Sequence, residues 1–176
     1  MKKETFDALY HIDVNSKTEK KNNLTYLSWA WAWAEFVKVC PDAHYEIKMF
    51  DGKPYLFDAN LGYMVFTSVT VEDDTKEMWL PVMDGANKAM KDHPYKYQVK
   101  QKNWNTGKIE VIEKTVEPAT MFDINKTIMR CLTKNIGMFG LGLYIYAGED
   151  LPEEIKEEQK NERWEGLNGK VNNQQQ

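Results

Sequence analysis

Lys126, Arg130 and Lys134 recur every four residues, and on a helix that spacing sets three cations along one side over about 12 Å. Such a row can follow two or three phosphates of an extended strand. Nucleic-acid affinity comes mainly from Lys and Arg at phosphates, with aromatic faces stacking on unpaired bases. Arg130 stands out because the chain has only two arginines. A second basic stretch runs from Lys88 to Lys108, where six lysines face the single acid Asp92 and Tyr95, Tyr97 and Trp104 are interleaved. The competing reading of both stretches is a charged face that merely contacts solvent.

Other chemistry has thinner support. Pro41-Asp42 followed by Glu46-Ile47-Lys48 echoes the PD…(D/E)xK pattern of metal-dependent nucleases, in which two carboxylates hold a divalent ion and a lysine stabilises the charged transition state. Asp42 and Glu46 have only three residues between them, too few to reverse the chain, although Asp42 could precede the strand that carries Glu46. His11, His44 and His93 are scattered without CxxC or HxxxH spacing, which argues against structural zinc. No phosphate-cradling loop is present. Gly137, Gly140 and Gly142 follow a helix pattern and read as a helix end that allows close packing. No serine or cysteine has a nucleophile motif, so the residues call for neither an enzyme nor a cofactor.

Periodicity suggests how these groups are held. From Met121 the sequence reads as an amphipathic helix with Ile124, Ile128, Cys131, Leu132 and Ile136 on one side, the cations on the other, and a glycine-punctuated apolar end. Pro118 precedes it. From His44 to Met83 the period becomes two: HYEIKMF, YLFDA, LGYMVFTSVTVE and KEMWLPVM give three or four antiparallel strands, with Tyr63, Val65, Thr67, Val69 and Val71 on one face. Pro81 marks an early end or an edge. YKYQVK and KIEVIEKTV form a looser hairpin around QKNWNTG. Upstream, TFDALYHI suits a short helix and SKTEKKNN a loop. LTYLSWAWAWAEFVKVCP reads as a helix with Ser28 as N-cap and Pro41 as terminator. Its wheel groups Trp29, Trp33, Phe36, Val37 and Cys40, and leaves Trp31 opposite, beside Glu35 and Lys38. An indole there is costly to leave wet, so Trp31 is expected to meet another element or a second subunit. The class is α+β: an antiparallel meander packed against a basic helix, with an N-terminal helix before it.

With 176 residues, 42% of them hydrophobic, the chain suits one core domain, residues 1–150, followed by an acidic disordered tail, residues 151–176. The net charge of −4 is carried by residues 149–176, where eight acids face four bases, so the body is neutral. Runs such as LGLYIYA are far shorter than the roughly 18 residues of a membrane span, which points to a cytoplasmic protein without a membrane partner. Cys40 and Cys131 sit in apolar patterns that suit buried thiols better than a disulfide framework.

Three segments carry a resemblance: NLTYLSWAWAW, WLPVMDGANKAM and DINKTIMRCLTKNIGMFGLGLYIYAGED. They resemble the phage single-strand annealing proteins of the Sak and ERF type, relatives of the eukaryotic ring-forming recombination mediator that anneals complementary strands. The last segment is the most specific, with a basic helix, a glycine break, an apolar stretch and an acidic pair. The resemblance implies a homo-oligomer, as a ring or helical filament, with a positive groove that binds single-stranded DNA and anneals it without ATP, metal or other cofactor. The groove role falls on Lys126, Arg130 and Lys134, with Lys88 contributing from the segment before. Relatives can show an adjacent Lys-Arg pair where this chain has the four-residue spacing. The acidic tail suits repelling nucleic acid, recruiting a host single-strand-binding protein, or simple solubility. A nuclease built on Asp42, Glu46 and Lys48 and a non-catalytic structural oligomer stay open beside the annealing reading.

Overall fold

In the computed structural model, which describes residues 2–21, 24–103 and 106–146, the elements run α1 (Lys3–Tyr10), β1 (Thr18–Lys21), β2 (Leu24–Leu27), α2 (Trp29–Val39), β3 (His44–Ile47), β4 (Leu56–Asp58), β5 (Gly62–Val71), β6 (Asp74–Pro81), β7 (Tyr95–Lys102), β8 (Ile109–Val116) and α3 (Met121–Gly137). Short 3-10 turns cover Asn15–Lys17 and Leu143–Tyr146. The chain divides into two units, 1–143 and 144–176. The elements from α1 to α3 belong to the first. The acidic tail, and with it the boundary expected at residue 150, lies outside the described residues.

The central strand is β5, whose alternation buries Val65, Thr67, Val69 and Val71 on one face. On one edge β6 pairs along its whole length, from Met64↔Pro81 to Val71↔Asp74. The other edge is shared: β3 pairs with Thr67 to Thr70 and β4 with Gly62 to Met64. All pairings are antiparallel, and β6 ends at Pro81 on the sheet edge, as the proline predicts. The α+β meander is therefore the observed architecture.

The buried side of β5 receives α3. Ile124, Ile128, Cys131, Leu132 and Ile136 are buried, the set the helical period selects, and each isoleucine and leucine among them stabilises the packing by about 1.5–3 kcal/mol through apolar burial. A polar knot fixes the register of helix on sheet. Asn135, fully buried, donates from Nδ2 to the carbonyls of Thr67 on β5 and Lys76 on β6, both at 3.0 Å. One turn earlier the Cys131 thiol donates to the Met78 carbonyl at 3.3 Å and accepts from the Thr67 hydroxyl at 3.4 Å. Cys40 and Cys131 are free and buried. Burial raises both thiol pKa values; the carboxylates of Asp42 and Glu72 add to it at Cys40, while the Thr67 bonds and Lys134 oppose it at Cys131.

Beside α3, α2 packs through Phe36, whose ring meets Phe139 edge-on at 5.5 Å, and through Trp33, which meets Tyr45 of β3 edge-on at 4.9 Å. Gly140 turns the chain there with φ +118°, and a Cβ at that position would lie 2.8 Å from the Phe6 carbonyl of α1. Only glycine allows this approach, in line with the packing role expected of the glycine run.

Two expectations are corrected. Within SKTEKKNN, Thr18–Lys21 is a strand and not loop, paired with Leu24–Leu27 in register Thr18↔Leu27 and Glu19↔Tyr26. The helix starts at Trp29 with Ser28 in the N-cap position as expected, although Ser28 makes no side-chain cap bond. Trp29 also leaves the predicted apolar face. Ala32 and Phe36 are the buried residues of α2, while Trp29 is 42% exposed. As the first helical residue, it stands where β2 hands over to α2, beyond the part of α2 that contacts the core. Trp31 is half-buried.

Candidate nucleic-acid interface

The cationic helix is set at its start by a capping box. Asp123 donates its backbone N–H to the Thr120 hydroxyl at 3.3 Å, and the Asp123 carboxylate accepts from the Thr120 backbone at 3.1 Å. Burial pushes the Asp123 pKa up, but the bonds from Thr120 and the Lys126 ammonium outweigh it and hold the group below its ordinary value. A depressed carboxyl pKa contributes stability above the unfolded value of about 3.9, and that contribution is lost as pH falls through the folded value. Thr120→Ala is expected to cost about 1 kcal/mol, lowering Tm by roughly 2–4 °C. In thermal melts the gap between variant and parent should be constant near neutrality and narrow in acid.

Beyond the cap, α3 turns one flank toward the junction of β2 and α2, and a cavity of about 340 Å3 lies between them. Its apolar wall is Leu27, Trp29, Phe122 and Met129. Ser28, Asn125 and Thr133 add polar groups, and the charged members are Lys126 and Arg130. Two of the rings are open to solvent, Trp29 at 42% and Phe122 at 74% exposure. Arg130 is half-buried with its guanidinium over the Tyr26 ring at 4.9 Å, a contact that fixes a long side chain before any ligand arrives. Lys126 is exposed, 3.2 Å from Asp123 and 5.8 Å from the Phe122 ring centre. The ammonium is the exposed partner of this pair, and it can reach a phosphate while Asp123 stays tied into the helix cap by Thr120. The cavity thus combines cations with aromatic faces, the two groups that hold unpaired polynucleotide.

The other sequence-predicted residues are placed differently. Lys134 is half-buried one turn past Arg130, outside the cavity lining. Lys88 sits in a loop organised by Asp84, whose carboxylate accepts from the backbone of Ala86 and Lys88 at 2.8 Å each. Its ammonium lies 5.1 Å from the Tyr97 ring centre on β7, so it too is apart from the cavity. The lysine-rich stretch is less positive in space than in sequence, because β7 pairs with β8, which supplies Glu110 and Glu113; Lys96 bonds Glu113 at 2.7 Å. Trp104 lies outside the described residues.

A model of the Sak single-strand annealing protein family matches residues 3–176. The chain belongs to that family. No curated protein and no solved structure matches it.

For a Sak family protein the informative placements are those the residue pattern did not select. Tyr26, Trp29 and Phe122 all serve the cavity or its arginine. Phe122 was signalled by lying four residues before Lys126, on the same helix side, and Tyr26 and Trp29 fall inside the NLTYLSWAWAW segment. The nuclease-like residues are not brought together. Asp42 accepts from the Glu72 backbone at 2.9 Å, and Glu46 on β3 pairs with Ser68 on β5. Glu72 and Ser68 are four residues apart, roughly 13 Å of strand. Lys48 bonds Glu77 at 3.1 Å. Among the described residues, no three His, Cys, Asp or Glu side chains are grouped so as to hold a metal ion. No described helix is long and apolar enough to cross a membrane.

Proposed function

We propose that this Sak family protein binds single-stranded DNA along the outer flank of α3 and anneals complementary strands without ATP or a metal ion, as a homo-oligomer in the cytoplasm of a phage-infected bacterium. The observation that carries the reading is the cavity in which Lys126 and Arg130 share walls with exposed Trp29 and Phe122. Lys126 and Arg130 hold phosphates, Lys134 extends the row toward the next protomer, and Lys88 contributes at the periphery. A strand held at its backbone keeps its base edges open to test a complement, and pairing then supplies the energy. No bond is made or broken by the protein, so its residues act by position and charge alone.

Half-buried Trp31 is assigned to the contact between copies. Trp31→Ala should shift sedimentation toward smaller species, and an unchanged profile rejects the assignment. For annealing itself, fluorescently labelled complementary oligonucleotides are mixed with protein in EDTA without nucleotide. Pairing should accelerate over the uncatalysed rate. No acceleration, or a requirement for ATP, rejects the reading, and cleavage that appears only with magnesium points instead to the residues around Asp42.

A further inference from the structure

We propose that the cavity between α3 and the β2–α2 junction takes one nucleobase of the bound strand in each protomer, stacked on Trp29 and Phe122. This rests on the strand-binding reading above and adds a base subsite to it. The argument begins with size. At about 340 Å3 the space lies at the low end of the roughly 300–1,000 Å3 range of small-ligand pockets, suited to one planar ring system.

The lining matches the two halves of a nucleotide. Leu27, Met129, Trp29 and Phe122 supply the apolar contact that a base face needs, and exposed Asn125 offers hydrogen bonds to its edge, while the Thr133 hydroxyl donates to the Met129 carbonyl at 2.9 Å. Lys126 and Arg130 in the same wall meet the phosphate attached to that base. An apolar side chain from a second copy would fill the space but supply no anion to Arg130 and only leave Lys126 on Asp123, whereas the phosphate of a nucleotide meets both cations. The arginine is also committed in advance: its stacking on Tyr26 keeps the guanidinium at the wall, with its donors free to reach an anion. Because stacking uses a face that every base has, the subsite tolerates any sequence. It would anchor one base per protomer and leave the bases between anchors available for pairing.

Two strands of equal phosphate number test this: oligo-dT, and the same backbone with abasic residues throughout. The full chain should bind oligo-dT about tenfold more tightly. Trp29→Ala should bring the two affinities within about twofold of each other, Phe122→Ala should narrow the gap in part, and Trp29→Phe should restore most of it. Both rings are solvent-exposed, so truncation leaves the core intact, and sedimentation of each variant checks assembly. Equal binding of both strands by the parent protein overturns the base subsite while leaving phosphate binding in place. A Trp29→Ala variant that loses its assembly state and weakens on both strands alike also overturns it, and assigns the ring to contacts between copies. Failure of the parent to bind either strand rejects the strand-binding reading itself.

Discussion

Exchanging both Lys126 and Arg130 for glutamate should reduce affinity for a single-stranded oligonucleotide by at least roughly 100-fold near physiological salt. In the proposed groove each cation makes a charge-assisted hydrogen bond to phosphate worth about 1.5–3 kcal/mol, and two of them correspond to about 100-fold or more before the repulsion from the new carboxylates is counted. The salt dependence should change as well, because each lost phosphate contact lowers the slope of log affinity against log salt by about one. The fold should survive, since Lys126 is exposed and Arg130 lies over Tyr26 at the surface of the helix rather than in its buried face. Lys134→Glu and Lys88→Glu should have smaller effects, because neither residue lines the cavity. Filter binding across a salt series, with melting curves as the fold control, separates these outcomes. A double variant with unchanged slope, or Lys88→Glu as damaging as the pair, rejects the placement of the groove on α3.

The ranking of those four cations comes from the structure, since the sequence spacing treats them almost as equals. Period 3.6 was enough to select Ile124, Ile128, Cys131, Leu132 and Ile136 as the packed side of α3, and period two was enough for Val65 to Val71, because each pattern reports a single boundary between core and solvent. Pro81 likewise marks the end of β6 by chemistry local to one residue. What could not be read depends on what each segment meets. TEKK and LTYL are short and carry little apolar alternation, and they become strands by pairing with each other. The lysines of β7 look like a basic patch until β8 sets Glu113 against Lys96. Trp29 fits an apolar wheel, yet its surroundings are decided by where α3 passes. Of the candidate cavity, Lys126 and Arg130 were legible in the sequence and the aromatic walls were not, since these come from segments about a hundred residues apart.

Removing Asn135 should destabilise the protein more than removing any surface cation. Its side chain is fully buried, and Nδ2 bridges carbonyls of two adjacent strands from a third element, α3. Asn135→Ala leaves these acceptors without their donor and opens a small void, together about 2–4 kcal/mol, or a Tm lower by roughly 5–15 °C. Asn135→Asp is almost isosteric and decides whether the donor or the volume matters. Its carboxylate would face the Thr67 and Lys76 carbonyls with no proton to give, so the buried group is driven to stay protonated and its folded pKa rises. For a raised carboxyl pKa the sign is opposite to that of Asp123. The aspartate variant should be near the parent in acid, where Oδ–H still donates, and should lose stability as pH climbs from about 3.9 through the elevated folded value. An alanine variant shows no such dependence. If Asn135→Asp and Asn135→Ala melt in parallel at every pH, the amide donor is not what locks α3 to the sheet. If they diverge as described, Asn135 holds the helix in the register that turns Lys126 and Arg130 toward the cavity, and annealing should fail in the variants at the temperatures where that register is lost.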